Sequence, residues 1–563
     1  MGLIAAGSVD PSRRIGLSNF QRNENLTPRY RSIAPALDSL PRFMQDAVLE
    51  EFTERASGFP DEKRFGSGAR WMRDAVLSLK RQKLDIGFDA EEISVQAEKL
   101  ADLSNRDGEL VSIARLAASQ QLTLPLGNRE STAASIVARC REPKTWRKSM
   151  EKNWTRKAEN KLREIGFIEK YAMLYVSDLA LEWYKGKMRA QERYLKSRTI
   201  SDGQTQLELW DVVNKSVSNK AIRRTELMTR MRGFEDYAKE KGDCATFITL
   251  TCPSAFHARS AGRGHNEQYQ GTSVRDGQRW LSSMWALARS RLHKLGIEIY
   301  GFRIAEPHHD ATPHWHLVLF CAPHFRGLLF AVLQSRWLSE YGAERGALEH
   351  RAQFKAIEDH KGTATGYLSK YIAKNIDAFE VGEDFEQPGT AADSSVVRVT
   401  AWASIHGIRQ FQQIGKRRAG VTLWREFRRE RLPLTRAPTL EKTRAAADAH
   451  DYKTFVMLTE HGQSRLWKEE KLTVDKPTGE MVPIRNAFGE LRGEQIVGIK
   501  SLTENIRTRL KTWRVAVKVA APVFSASPLG PVSITVPASP GAESLSDPHG
   551  WTNPNETSMY GPN

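Results

Sequence analysis

Two histidines stand two residues apart in Pro313-His-Trp-His-Leu-Val-Leu-Phe320, and two tyrosines stand four apart in Tyr367-Leu-Ser-Lys-Tyr-Ile-Ala-Lys374. On a strand, side chains i and i+2 share a face. His314 and His316 therefore present two imidazoles side by side while Trp315 points away into packing. On a helix, i and i+4 are neighbours separated by about 6 Å of rise, so Tyr367 and Tyr371 share a face too. An imidazole pair is a metal-ligating set, and a phenol pair is a set of oxygen nucleophiles.

The metal set has a third candidate. Glu306 ends the preceding apolar run, and Pro307-His-His-Asp-Ala-Thr-Pro313 is a short polar connection. If the two runs form a hairpin, Glu306 falls close to opposite His314 and on the same face. Two imidazoles and a carboxylate suit Mn²⁺ or Mg²⁺ with open positions for phosphate oxygens, where the metal would act as a Lewis acid. His308 and His309 lie in the connection itself and are weaker candidates for contacts to metal or DNA.

A tyrosine hydroxyl titrates near pH 10, so forming phenolate at pH 7 costs about 4 kcal/mol. Nearby metal and lysine charge lowers that cost. Lys370 and Lys374 lie on or beside the tyrosine face, and Leu368, Ile372 and Ile376 define a separate apolar face. Attack on a phosphodiester would leave a phosphotyrosine, which conserves the bond energy for rejoining. A second tyrosine permits a second transesterification before the first end is released. Each pattern alone has an ordinary structural explanation, either an exposed His-x-His hairpin or a tyrosine stripe in a core. Their co-occurrence in one chain favours chemistry.

The elements that must position these residues form an α+β block. Ala245 to Thr251 reads as a strand, rich in β-branched and aromatic residues and broken at Pro253. Ile299 to Glu306 and His314 to Phe320 read as two more, and Ser394 to Trp402 as a fourth. Arg279 to Leu295 has helical spacing. The block is expected to hold a largely antiparallel sheet flanked by helices, preceded by a mainly helical, basic region. The expected domains are a flexible arm (1–30), a helical basic region (31–240), an α+β domain that carries the histidine and tyrosine motifs (241–435), a region of unassigned role (436–520) and a disordered tail (521–563). The tail is rich in Pro, Ser, Gly and Ala and has no Lys or Arg. Helical runs are expected from Leu40 to Phe52 and from Trp71 to Leu79.

The chain carries a net charge of +17, which favours a polyanionic partner, nucleic acid first. Residues 141–200 hold 16 Lys or Arg against 8 Asp or Glu, interleaved with Trp146, Trp154, Tyr171, Tyr175, Trp183 and Tyr184. Most of those aromatics are expected to fill a core, and part of the charge to contact DNA. A second basic stretch holds Lys416, Arg417, Arg418, Arg425, Arg428, Arg429 and Arg431. None of the 14 histidines precedes His257, which directs the search for chemistry to the middle and C-terminal parts. The four cysteines form no CxxC pair, so neither a structural zinc site nor a disulfide framework is expected. No long apolar run or signal peptide is evident, so a cytoplasmic protein without membrane contact is expected.

Phe247-Ile-Thr-Leu-Thr251, Glu306-Pro-His-His-Asp-Ala-Thr-Pro-His-Trp-His316 and Tyr367-Leu-Ser-Lys-Tyr-Ile-Ala-Lys-Asn375 resemble, in order, the three motifs of HUH endonucleases. The two-tyrosine form resembles the replication gene A proteins of phages and prophages. The motifs cover about 240–430. The resemblance implies a palm-like antiparallel sheet with His314 and His316 as metal ligands on a central strand. It implies Tyr367 and Tyr371 as nucleophiles, Glu306 as third ligand, and Lys374 as active-site base or phosphate contact. It also implies nicking of single-stranded or supercoiled origin DNA, a 5′-phosphotyrosine link, and a free 3′-OH that primes rolling-circle synthesis. Host helicase and DNA polymerase are its implied partners, and the host bacterial cytoplasm its implied location. The competing readings are a conjugative relaxase or HUH transposase, a non-enzymatic basic DNA-binding protein, and a metal nuclease that uses water.

Overall fold

The computed structural model describes residues 90–120, 122–127, 131–169, 173–259, 266–358, 360, 362–377, 383–384, 387–416, 419–429, 438–460, 464–475 and 477–518. The expected arm at 1–30, the helical runs ending at Phe52 and Leu79, Tyr171, the arginines at 417, 418 and 431, and the tail lie outside the described residues. The chain divides into two compact units.

The first unit is helical. It contains α1 (Ala90–Asp107), α2 (Leu110–Ser119), most of α3 (Ala133–Cys140) and α4 (Pro143–Glu164). Ile93, Ala97, Leu100 and Ala101 recur at helical spacing and bury against Ile113, Trp146 and Met150. Pro143 opens α4, where its fixed φ suits the first helical turn. Trp146 is fully buried and its indole Nε1 donates to the Cys140 carbonyl at 2.6 Å. The same burial pushes the Cys140 thiol up to about 11.

The second unit carries the motifs. Its main helices are α5 (Asp178–Lys196), α6 (Lys220–Lys241), α7 (Val274–Lys294), α8 (Arg326–Trp337), α9 (Ala364–Ile376), α10 (Ala392–His406), α11 (Val421–Phe427), α12 (Pro438–Asp448) and α13 (Tyr452–Glu460). Its main strands are β1 (Cys244–Leu250), β2 (Tyr300–Pro307), β3 (Pro313–Cys321), β4 (Ala352–Ile357) and β5 (Phe411–Ile414). A smaller antiparallel sheet of β6 (Ser464–Glu470), β7 (Glu494–Ser501) and β8 (Asn505–Arg507) follows. Tyr175 and Tyr184 are buried, whereas Trp183 is among the exposed large hydrophobics.

The fold is α+β, and the five-stranded sheet has the order β4-β1-β3-β2-β5 with every neighbour antiparallel. β3 is the central strand, and all nine of its residues are buried. Phe302, Ile304 and Val318 on one face join Phe234 and Tyr237 of α6 and Leu368, Ile372 and Ile376 of α9 in one core. α7 packs against β3 from the opposite side, and α8 packs against α7 and β4. Gly301 (φ +147°) lets β2 and β3 approach; a Cβ there would lie 1.9 Å from the Val318 carbonyl oxygen.

The expectation of a strand at Ser394 to Trp402 is corrected, because this stretch lies inside α10. Val396, Val399, Trp402 and Ile405 are buried at helical spacing, and α10 packs against α5 and α9. Packing on two helices overrides the β-branched composition, which is a weak signal by itself. The sheet takes its remaining strands from β4 and β5 instead. Among the described residues, no helix is long and apolar enough to cross a membrane.

Candidate metal centre and tyrosine helix

The site begins with the β2–β3 hairpin. Its register pairs Glu306 with His314, which brings both side chains to the face that also holds His316. The turn is closed by two backbone bonds: His308 N donates to Thr312 O at 2.8 Å, and Ala311 N to His308 O at 2.8 Å. Asp310 is fully buried and accepts from the Thr312 backbone N at 3.0 Å and hydroxyl at 2.8 Å. Trp402 of α10 donates its indole N–H to the Ala311 carbonyl at 2.9 Å. Ala311 sits at φ +66°, a left-handed conformation held in place by these contacts.

Glu306, His314 and His316 each offer a ligand atom, and these atoms all lie within 4.8 Å of one another. The His314 and His316 Nε2 atoms are 2.9 Å apart, and His316 Nε2 is 3.9 Å from Glu306 Oε2. All three residues are buried. His316 Nδ1 lies 3.2 Å from the Thr249 hydroxyl of β1, which orients the ring with Nε2 toward the cluster. Burial, with the Lys374 charge second, pushes the His316 imidazole down to about 3. Burial also holds His314 well below the usual histidine range. Both rings are therefore neutral at physiological pH, with lone pairs available, and this is the state a divalent cation requires. Two imidazoles and one carboxylate converging in a buried pocket suit such a cation.

The tyrosine helix α9 lies across this face. Thr363 caps it, accepting from Gly366 N at 3.0 Å. The Tyr371 ring sits 4.3 Å, centroid to centroid, from the His316 ring. Tyr367, one turn earlier, is paired with Lys355 of β4, whose Nζ is 4.9 Å from its ring centroid. Phe247 of β1 joins the group: its ring stacks at 5.5 Å on both His316 and Tyr371, and lies 6.0 Å from Tyr367. Lys374 is buried, and its charge reaches both histidines. Its Nζ lies 5.9 Å from the ring of Tyr175, a buried residue at φ +67°.

Glu306, His314, His316, Tyr367, Tyr371 and Lys374 thus meet in one region of the second unit. Lys370 is exposed. His308 stacks on His314 with centroids 4.0 Å apart, so it is closer to the cluster than its loop position implied. Burial pushes His308 down to about 3. Two further contributors were not assigned roles from the sequence, Thr249 and Phe247. Their signal was the alternation in Phe247-Ile-Thr249, which turns both toward the histidine face once β1 pairs with β3.

The family model described as bacteriophage replication gene A protein matches residues 77–379, a span that contains the three motifs and ends just after α9. The chain is 34% identical over 395 residues to the probable replication protein P12 of Pseudoalteromonas phage PM2, covering 68% of this chain and 60% of that one. It is 33% identical over 408 residues to the replication gene A protein of Escherichia phage P2, covering 69% and 52%. It is 36% identical over 316 residues to a probable replication endonuclease from a prophage-like region of Salmonella typhi, covering 53% and 39%. The chain therefore spans roughly two-fifths to three-fifths of the length of these relatives. No solved structure matches it.

Proposed function

The chain belongs to the bacteriophage replication gene A protein family, and on that premise we propose that it is a replication endonuclease of phage or prophage DNA that cuts one strand through a tyrosine nucleophile. The observation that carries the reading is the 4.3 Å contact between the Tyr371 and His316 rings, which brings a phenol beside the Glu306, His314 and His316 cluster. The substrate is single-stranded or supercoiled origin DNA. The free 3′-OH left by the cut would prime a host DNA polymerase, with a host helicase opening the duplex in the bacterial cytoplasm.

Glu306, His314 and His316 would hold a Mg²⁺ or Mn²⁺ ion. When bound, it supplies Lewis-acid polarisation of the scissile phosphate. The chain's own groups do the rest. The tyrosine oxygen attacks phosphorus as the bond from phosphorus to the 3′ oxygen breaks; the tyrosine loses its proton and the departing 3′ oxygen gains one. The products are a 5′-phosphotyrosine and a 3′-OH, and the reverse attack by a 3′-OH rejoins the strand. The positive charge of Lys374 favours both the phenolate and the extra negative charge of the pentacovalent phosphate. Phe247 fixes the Tyr371 ring against His316. The second tyrosine on the same face, Tyr367, accepts a second strand while the first remains attached.

The test uses 3′-end-labelled single-stranded fragments tiled across the replicon that encodes the chain, incubated with protein and Mn²⁺. Label is expected to migrate covalently with the protein, and the Tyr367→Phe/Tyr371→Phe double variant should abolish the transfer. Cleavage without transfer would replace the tyrosine with water as nucleophile. Binding without cleavage of any fragment would leave a DNA-binding protein only.

A further inference from the structure

We propose that Asn375, held by Gln410, is a positioning residue that fixes the Glu306 carboxylate for metal binding and locks the tyrosine helix to it. The inference rests on the reading of Glu306 as a metal ligand. Asn375 is the last-turn residue of α9, one position beyond Lys374, and is 2% exposed. Its Nδ2 donates to Glu306 Oε1 and also to the Tyr371 carbonyl, the latter at 2.6 Å. Its Oδ1 accepts from Gln410 Nε2 at 3.2 Å. The three side chains come from β2, α9 and the segment just before β5, and all are buried.

This arrangement fixes the orientation of the amide. An NH₂ group has two hydrogens, and both are used, one on each acceptor. Turning the amide over would set its oxygen against a carboxylate and a carbonyl while its NH₂ met the NH₂ of Gln410, so every contact would become repulsive. Asn375 holds Oε1 of Glu306, and Oε2 faces His316, at 3.9 Å from Nε2. The carboxylate is thereby directed to offer one oxygen to a cation. The same NH₂ ties that carboxylate to the carbonyl of Tyr371, so the metal ligand and the nucleophile are held by one group. Outer partners of this kind typically change metal affinity about 10–100-fold when removed.

The experiment is Mn²⁺ binding to the full chain without DNA, followed by the electron paramagnetic resonance signal of free Mn²⁺. Asn375→Leu, similar in volume, is expected to weaken Mn²⁺ affinity about 10–100-fold. Gln410→Leu should weaken it less, and adding it to Asn375→Leu should cause no further loss, because Gln410 acts only through Asn375. Should Asn375→Leu fail to fold by circular dichroism, Gln410→Leu decides alone. Wild-type affinity in whichever of these variants folds overturns the inference. His316→Ala is the control: if wild type binds no more Mn²⁺ than His316→Ala, the metal reading of the triad falls as well, whereas loss in that control with none in the Asn375 and Gln410 variants removes only the positioning role.

Discussion

Phe247 stacks on both His316 and Tyr371, with ring centroids 5.5 Å apart in each case. One ring from β1 therefore contacts both a strand of metal-ligand candidates and a helix of nucleophile candidates, whose own rings meet at 4.3 Å. Aromatic pairs of this kind contribute about 0.5–1.5 kcal/mol beyond burial, and here the contact also sets an angle. Phe247→Leu keeps the apolar volume and loses both stacks. The expected outcome is an adduct-formation rate lower by about 10-fold, corresponding to about 1.4 kcal/mol, with Mn²⁺ affinity within twofold of wild type. Rate and affinity are read separately by single-turnover labelling and metal titration. An equal loss in both would mean that Phe247 supports the metal site and not the tyrosine.

Thr249 bears on the same imidazole from its other nitrogen, 3.2 Å from His316 Nδ1. Thr249→Val preserves shape and removes the hydroxyl. Metal affinity should fall about 10-fold, the lower end of what such outer contacts are worth, and Thr249→Ser should restore most of it. Isothermal titration with Mn²⁺ at fixed pH makes the comparison.

The depressed histidines fix a pH dependence. In the unfolded chain a histidine titrates near 6.5, whereas His316 is pushed down to about 3 in the fold and His314 well below its usual range. The unfolded state therefore binds more protons below pH 6.5, and stability rises with pH in that window. Without metal, the urea midpoint should be flat above about pH 7 and drop progressively as pH falls from 6.5 toward 3. The His314→Gln/His316→Gln double variant should show a shallower drop over the same range. Metal affinity should fall in the same direction, because protons compete for the same lone pairs.

How much of this could be read in the sequence depends on which period carried the signal. The pairing of Glu306 with His314 followed from a short polar connection and a two-residue repeat. The shared face of Tyr367 and Tyr371 followed from a four-residue spacing, and Leu368, Ile372 and Ile376 are buried together as their spacing required. Ser395-Val-Val-Arg-Val-Thr400 misled, because β-branched residues describe a pleated surface and also fill a buried helix face. The contacts of Phe247, Thr249 and Gln410 were not legible for a different reason. They depend on strand order: β1 lies beside β3, and β5 closes the sheet at β2, and neither adjacency leaves a mark in local sequence.

Gly301 gives a prediction about the scaffold. At φ +147° and with the Val318 carbonyl oxygen 1.9 Å from any added Cβ, the position admits no side chain unless β2 and β3 separate. Gly301→Ala combines backbone strain with a clash inside the central sheet, and should cost about 3 kcal/mol or more. A denaturant titration is expected to show a lower midpoint, with loss of Mn²⁺ binding following the loss of fold.

The two tyrosines should not contribute equally to the first cut. Tyr371 lies against His316, whereas Tyr367 is one turn earlier on the helix, 6.0 Å from Phe247 and beside Lys355. In the proposed reaction the first nucleophile must reach a phosphate at the Glu306, His314 and His316 cluster, and it is the Tyr371 ring that packs against His316. Tyr371→Phe should therefore lower the initial rate of adduct formation by at least about three orders of magnitude, since losing a nucleophile costs up to about 10⁶-fold, while Tyr367→Phe lowers it by less than about 10-fold. In a strand-exchange assay, where a second oligonucleotide must be cut before the first is released, the Tyr367→Phe defect should become the larger one. Single-turnover labelling followed by exchange with an unlabelled strand separates the two steps, and equal initial rates for the two single variants would show that distance to His316 does not set the order of attack.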